Sequence, residues 1–186
     1  MPTFEQYLRA GYPVIWVSTL EPHRAEAKLA ERATLVSEPV TCHWDIVSGF
    51  GEIGKPGQAC SPIQAVKRAS EQSNAVTFLW NFHRFMAAID VIQQIQNAIP
   101  ALKSNGSRIV ILAPDAEKLP PELSRHVVLW DFPLPTRAEL AETVAKVQQD
   151  AGLTAAPPDT IQDAALGLTA SEAEAALALS VIERHA

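Results

Sequence analysis

Apolar runs of strand length alternate with helical patterns through the first two-thirds of the chain, and helical patterns alone fill the rest. Thr3–Arg9 reads as a short leading helix with Phe4 and Leu8 on one face. Tyr12–Thr19 is the first strand, rich in Val and Ile, with the unbroken apolarity of a strand covered on both faces. Glu21–Ala33 follows as a helix, with Pro22 in the first turn, where a missing N–H costs little. Thr41–Val47 is the second strand, the glycine- and proline-rich Ser48–Pro62 a loop, and Ile63–Gln72 a helix. Ala75–Asn81 is the third strand, and Phe82–Ile99 a long helix ended by Pro100. Arg108–Ala113 and Val127–Asp131 complete the set as fourth and fifth strands.

Strands separated by helices call for parallel pairing through right-handed crossovers, which predicts a three-layer α/β sandwich. After Pro135 the pattern changes: Thr136–Ala151, Asp159–Leu166 and Ala170–His185 all read as helices rich in Ala and Glu. Pro157-Pro158 separates the first two and Gly167 the last two. The chain thus divides into an α/β body over 1–135 and a helical subdomain over 136–186.

Length and composition narrow the function classes. A chain of 186 residues buries roughly 70% of its unfolded surface, so no disulfide or metal is needed to hold a core. A net charge of −6 argues against a general nucleic-acid backbone binder. Cys42 and Cys60 are too few for a disulfide framework, and their spacing matches no zinc pattern. The histidines are scattered without metal spacing, so no metal site is expected. With no basic leader and no apolar run approaching about 18 residues, a cytoplasmic chain without membrane association is the expectation.

The candidate chemistry is conspicuous for what is missing. The junction after the first strand, Thr19-Leu20-Glu21-Pro22-His23-Arg24, stands where a nucleotide-binding α/β protein carries its glycine-rich phosphate loop. No glycine occurs between Gly11 and Gly49. Glu21 places a carboxylate where the helix dipole favours an anion, and Pro22 removes a donor. Farther on, Gly49-Phe50-Gly51-Glu52-Ile53-Gly54-Lys55 satisfies G-x-x-x-x-G-K, with Gly49, Gly54 and Lys55 as weak cofactor-binding candidates. Pro56 stands where Ser or Thr would hold magnesium, and Pro56-Gly57 blocks a helix starting at the lysine, so a surface loop is the expectation.

The third strand ends in Asn81-Phe82-His83, where an ATPase of this layout has Asp then Glu to hold magnesium and polarise water. Asn81 offers only a neutral ligand and Phe82 no base; a helix-capping Asn81 and a structural His83 are expected. After the fourth strand, Ala113-Pro114-Asp115 offers Asp115 as its one polar residue near a sensor position. Arg125, just before the fifth strand, is the candidate for a finger reaching into a neighbour's site, against the plainer reading of a solvated arginine. No nucleophile-elbow motif supports a hydrolase triad.

In order and spacing, several strings resemble an AAA+ ATPase domain. They include Tyr12-Pro13-Val14-Ile15, with Glu21 and Arg24 following; Asn81-Phe82-His83-Arg84-Phe85; and Leu119-Pro120-Pro121-Glu122-Leu123. Asp131-Phe132-Pro133-Leu134-Pro135 before Arg137-Ala138-Glu139-Leu140, and Ala165-Leu166-Gly167-Leu168-Thr169 before Glu172-Ala173-Glu174, complete them. The resemblance is strongest to the degenerate N-terminal domain of the plastid- and cyanobacterial-type AAA+ proteins first known as an algal plastid open reading frame. It implies a P-loop NTPase-like fold with a five-stranded parallel sheet in the order 5-1-4-3-2, a helical lid from about Thr136, and ring-like oligomers. The lid's usual sensor arginine has no counterpart in Ala170-Ser171-Glu172.

The leading expectation is a non-catalytic AAA+ module, without cofactor of its own, that serves assembly and regulation of an active AAA+ domain in the same or a neighbouring chain. ATP and magnesium then belong to that partner domain, and catalytic residues are expected to be absent here. One alternative lets Gly49–Lys55 hold nucleotide, with Asn81 near the metal. Another is a stand-alone protein-interaction adaptor.

Overall fold

The computed structural model describes residues 2–114, 119–152 and 163–185, and divides them into two units, Met1–Phe132 and Pro133–Ala186. In the first unit a six-stranded sheet is built from β1 (Val14–Ser18), β2 (Val40–Asp45), β3 (Gly49–Glu52), β4 (Ala75–Trp80), β5 (Arg108–Ala113) and β6 (Val127–Asp131). Their order across the sheet is β3-β2-β4-β5-β1-β6, all neighbours parallel except β2 and β3. Helices α1 (Phe4–Arg9), α2 (Pro22–Ser37), α3 (Pro62–Glu71) and α4 (Ile89–Asn105) cover it.

The period-2 alternation of a strand shows why β1 is apolar throughout. Val14 and Trp16 turn to one face, into a core with Ala65, Val66 and Ala69 of α3 and Ile95, Ala98 and Leu102 of α4. Ile15 and Val17 turn to the other, against Phe4 and Leu8 of α1 and Ala25, Leu29 and Ala33 of α2. Both faces are buried, giving the three layers. Thr3 and Ser61 close capping boxes with Gln6 and Gln64 that start α1 and α3.

The sheet departs from the expected five-stranded, all-parallel arrangement because the segment read as a loop adds an antiparallel edge strand, β3; the five expected strands keep the order 5-1-4-3-2, seen as β6-β1-β5-β4-β2. Asp45 Oδ1 accepts hydrogen bonds from the Val47 and Ser48 amides at 2.6 and 2.7 Å, forming a turn directly after β2. Gly49 then takes φ +77°, and the chain returns antiparallel with Glu52 opposite Cys42. A Cβ at Gly49 would lie 2.3 Å from the Gln58 carbonyl oxygen, so this position requires glycine.

The expected Phe82–Ile99 helix is also corrected. Asn81 adopts a left-handed conformation (φ 53°), Phe82–Phe85 forms a single 3₁₀ turn, and α4 begins only at Ile89. Pro100 lies inside α4 rather than ending it. The residue is exposed, so its ring lies on the solvent side of the helix. Gly106, at φ 76°, ends α4 instead.

In the second unit, α5 (Arg137–Asp150) starts from a Thr136–Glu139 capping box and packs against α6 (Ala170–His185). Leu140, Ala165 and Ala173 form the buried centre of that unit, with Leu168 against it. Of the helix expected over Asp159–Leu166, positions 159–162 lie outside the described residues.

Candidate functional site

In an open parallel sheet, ligands are held at the carboxyl ends of the strands, and β1 delivers Thr19–Arg24 to that edge. Thr19 donates its amide to the Ala113 carbonyl at 2.8 Å and accepts the Glu21 amide on Oγ1 at 2.9 Å. Glu21 caps α2 in position only: its side chain makes no cap hydrogen bond. Its Oε2 instead accepts from Arg24 Nε and Nη2 at 3.0 and 2.9 Å. The two side chains are 8% and 16% exposed, and the Arg24 guanidinium lies 4.5 Å from the centre of the Phe132 ring. With Pro22 adding a missing donor, the entry to α2 neutralises itself using groups of this chain.

Asn81, at the end of β4, is exposed and donates its amide to the Leu112 carbonyl at 3.0 Å. It makes no side-chain capping bond, contrary to the expectation, because its left-handed backbone leads into the tight 3₁₀ turn rather than a helix. Phe82 is fully buried, 5.4 Å from the Trp44 ring, and belongs to the core. His83 is buried beside Trp16. Pro114 ends β5, accepting the Ser18 hydroxyl at 3.5 Å, and Asp115 lies outside the described residues.

Gly49, Gly54 and Lys55 do not form a strand-to-helix loop. Gly49 opens the edge strand β3, Gly54 turns with φ 83°, and Lys55 pairs with Glu52 three residues before it. The next helix begins only at Pro62. Arg125 is exposed and precedes β6, at the amino ends of the parallel strands, the opposite edge from Thr19–Arg24. Among the described residues no group of three or more His, Cys, Asp or Glu side chains is placed to hold a metal.

One cluster escaped the sequence reading. A groove of about 460 Å³ between α2 and the β2–β3 hairpin brings together His23, Glu26, His43, Asp45 and Trp80. His43 lies between two carboxylates, with Nδ1 2.9 Å from Glu26 and Nε2 2.9 Å from Asp45. The Trp80 indole N–H also donates to Glu26, and His23 meets the Trp80 ring edge-on at 4.3 Å. Burial opposes a charge on His43, but hydrogen bonds and charge from Glu26 and Asp45 outweigh it and raise the imidazole pKa. Burial likewise opposes the Asp45 charge; His43 and the Ser48 and Val47 amides win and lower its pKa. Both acids are occupied by groups of the fold, so the cluster ties α2 to β2 and β4. Its sequence signal was His43-x-Asp45, two positions on one strand face, with the partner Glu26 visible only in three dimensions.

Residues 1–132 match the family model described as the N-terminal domain of SpoVK-like AAA ATPases. The chain is 27% identical over 154 residues to the Guillardia theta protein called "Uncharacterized AAA domain-containing protein ycf46", covering 80% of this chain and 30% of that one. Against the Trieres chinensis protein of the same name, identity is 26% over 155 residues, with 81% and 31% coverage. The chain therefore spans under a third of these relatives' length. Among solved structures, one from work on katanin self-assembly superimposes with a TM-score of 0.62 at 12% identity, covering 97% of this chain and 61% of that one. The AAA domain of FIGL-1 in complex with ADP gives 0.59 at 8% identity, with 93% and 61% coverage. At such identities the likeness concerns fold alone. No helix among the described residues is long and apolar enough to cross a membrane.

Proposed function

The chain belongs to the family of SpoVK-like AAA ATPase N-terminal domains, and from that premise we propose that it is an AAA+ module that does not hydrolyse ATP. In this reading it serves assembly and regulation of an active AAA+ domain, in its own or a neighbouring chain. The carrying observation is the Glu21–Arg24 pair: a carboxylate and its guanidinium partner fill the mouth of α2, where main-chain amides would have to grip phosphate. A triphosphate arriving there would meet an entry whose charge is already matched by Glu21 and Arg24, and Pro22 offers it no N–H. Phe82, buried in the core, stands where a water-polarising carboxylate would be needed. The helical unit formed by α5 and α6 takes the place of a lid, and ring-like assembly with like subunits or a catalytic domain is the mode of action. ATP and magnesium belong to that catalytic domain.

The test is calorimetric titration of this chain with ATP and magnesium. No heat of binding is expected at nucleotide concentrations through the micromolar range. Saturable micromolar binding would overturn the reading, and loss of that binding in Lys55→Ala would move the site to the β3 hairpin.

A further inference from the structure

The amino-terminal edge of the sheet has the opposite electrostatics from Thr19–Arg24. A pocket of about 140 Å³ opens there, between the α1–β1 turn, the end of α4 and the entry to β6. Lys103, Arg125 and His126 line it together with Gly11, and no carboxylate among the described residues does. None of those three basic side chains makes an ion pair with another described residue. Arg108, opening β5, stands beside them: its Nη2 is 3.7 Å from where a Cβ on Gly11 would be.

The bonding of Arg108 is incomplete. Nη1 donates to the Leu102 and Ser107 carbonyls at 3.3 and 2.7 Å, whereas Nε is shut off from solvent without a partner among the described residues. A half-buried guanidinium without a counter-ion is unfavourable, and burial accordingly lowers its pKa. This concentration of unneutralised cation occurs in a chain whose net charge is −6. Solubility does not require it, and the ion pairs found elsewhere in the first unit show that carboxylates are available to this fold.

We propose that this pocket binds a single phosphate-type oxyanion. The Arg125 guanidinium and His126 imidazole line it from the entry to β6 and the Lys103 ammonium from the end of α4, an arrangement suited to a tetrahedral anion that accepts several hydrogen bonds. A planar carboxylate would engage one side well and the others poorly. The volume is below the roughly 300 Å³ at which pockets begin to hold drug-sized ligands, so it suits one phosphoryl group rather than a nucleotide. Inorganic phosphate and the phosphoryl group of a small phosphomonoester share this chemistry.

The experiment is an amide-detected NMR titration of the 186-residue chain with inorganic phosphate and, separately, glycerol 3-phosphate. Chloride holds ionic strength constant and serves as the control. Saturable shifts at Gly11, Lys103 and His126 are expected, with Thr19–Arg24 unmoved. Tighter binding of the ester identifies a phosphomonoester as the ligand, and equal binding identifies the free ion. Lys103→Ala combined with Arg125→Ala should weaken binding at least about tenfold, equivalent to 1.4 kcal/mol. Both positions are exposed, so the variant keeps the fold, which its spectrum reports directly. Shifts that grow without saturating, that chloride reproduces, or that the double variant retains would overturn the proposal. So would phosphate shifts confined to Thr19–Arg24, an outcome that also removes the reading of that edge as closed to phosphate.

Discussion

His43 Nδ1 lies 2.9 Å from Glu26 Oε2, joining the edge half of the sheet to α2 through one imidazole. The other ring nitrogen is held by Asp45, so the ring bridges two carboxylates. This bridge has a definite pH signature.

The His43 pKa is raised on folding, so its contribution is complete below the unfolded value of about 6.5 and is lost as pH rises through the folded value. The Asp45 pKa is lowered, so its contribution is present above about 3.9 and is lost as pH falls through the folded value. The two contributions overlap between about pH 4 and 6.5. Urea denaturation of the chain and of His43→Asn, at intervals from pH 5 to 9, checks this. The stability difference between them should be largest near pH 5 and shrink above pH 6.5; a difference independent of pH would contradict the charged bridge.

The Glu21–Arg24 pair should behave as a coupled unit. Arg24→Ala leaves a carboxylate only 8% exposed without its guanidinium, and a loss of about 1–3 kcal/mol is expected. Glu21→Ala should cost a similar amount. Because the residues touch, the double variant should lose less than the sum, with a coupling energy of at least about 0.5 kcal/mol. Chemical denaturation of all four proteins provides the cycle, and additive losses would show that the contact is incidental.

At Phe82, replacement by alanine should cost about 3–5 kcal/mol, since the ring is fully buried beside Trp44. Phe82→Glu, which places a carboxylate at that position, should unfold the chain or cost at least as much, with no gain of ATP turnover. Asn81→Gly should stay within about 1 kcal/mol, as Asn81 is exposed, left-handed and makes no capping bond. Thermal denaturation and a phosphate-release assay read the two properties separately.

The β2–β3 hairpin offers a paired test. Gly49→Ala combines a positive φ with a Cβ 2.3 Å from the Gln58 carbonyl oxygen. Gly54→Ala has a positive φ but open space around the added methyl group. The second substitution should cost about 1–2 kcal/mol from backbone strain alone, and the first clearly more. Equal urea midpoints would contradict the close approach at Gly49.

The runs at Val14–Val17, Ala75–Leu79 and Ile109–Ala113 were legible as strands because burial on both faces leaves them almost wholly apolar, with Thr77 the one polar residue among them. The starts of α1, α3 and α5 are set locally by the caps Thr3, Ser61 and Thr136, whose chemistry acts within four residues, although the expected bounds were drawn from periodicity and not from the caps. The chain itself also determined that Thr19–Arg24 carries acid and proline instead of glycine, because residue identity there needs no folding to be read. Tertiary structure decided what local signals do not contain. Gly49–Glu52 is too short and glycine-rich to announce a strand, and becomes one because the Asp45 turn returns it to the open edge of β2. Pro100 stays inside α4 because its position on the exposed side tolerates the ring. The union of Glu26 with His43 and Trp80, and of Lys103 with Arg125, spans α2, β2, β4, α4 and the entry to β6. Such contacts depend on how helices and strands are stacked in space, a relation that no spacing along the chain encodes.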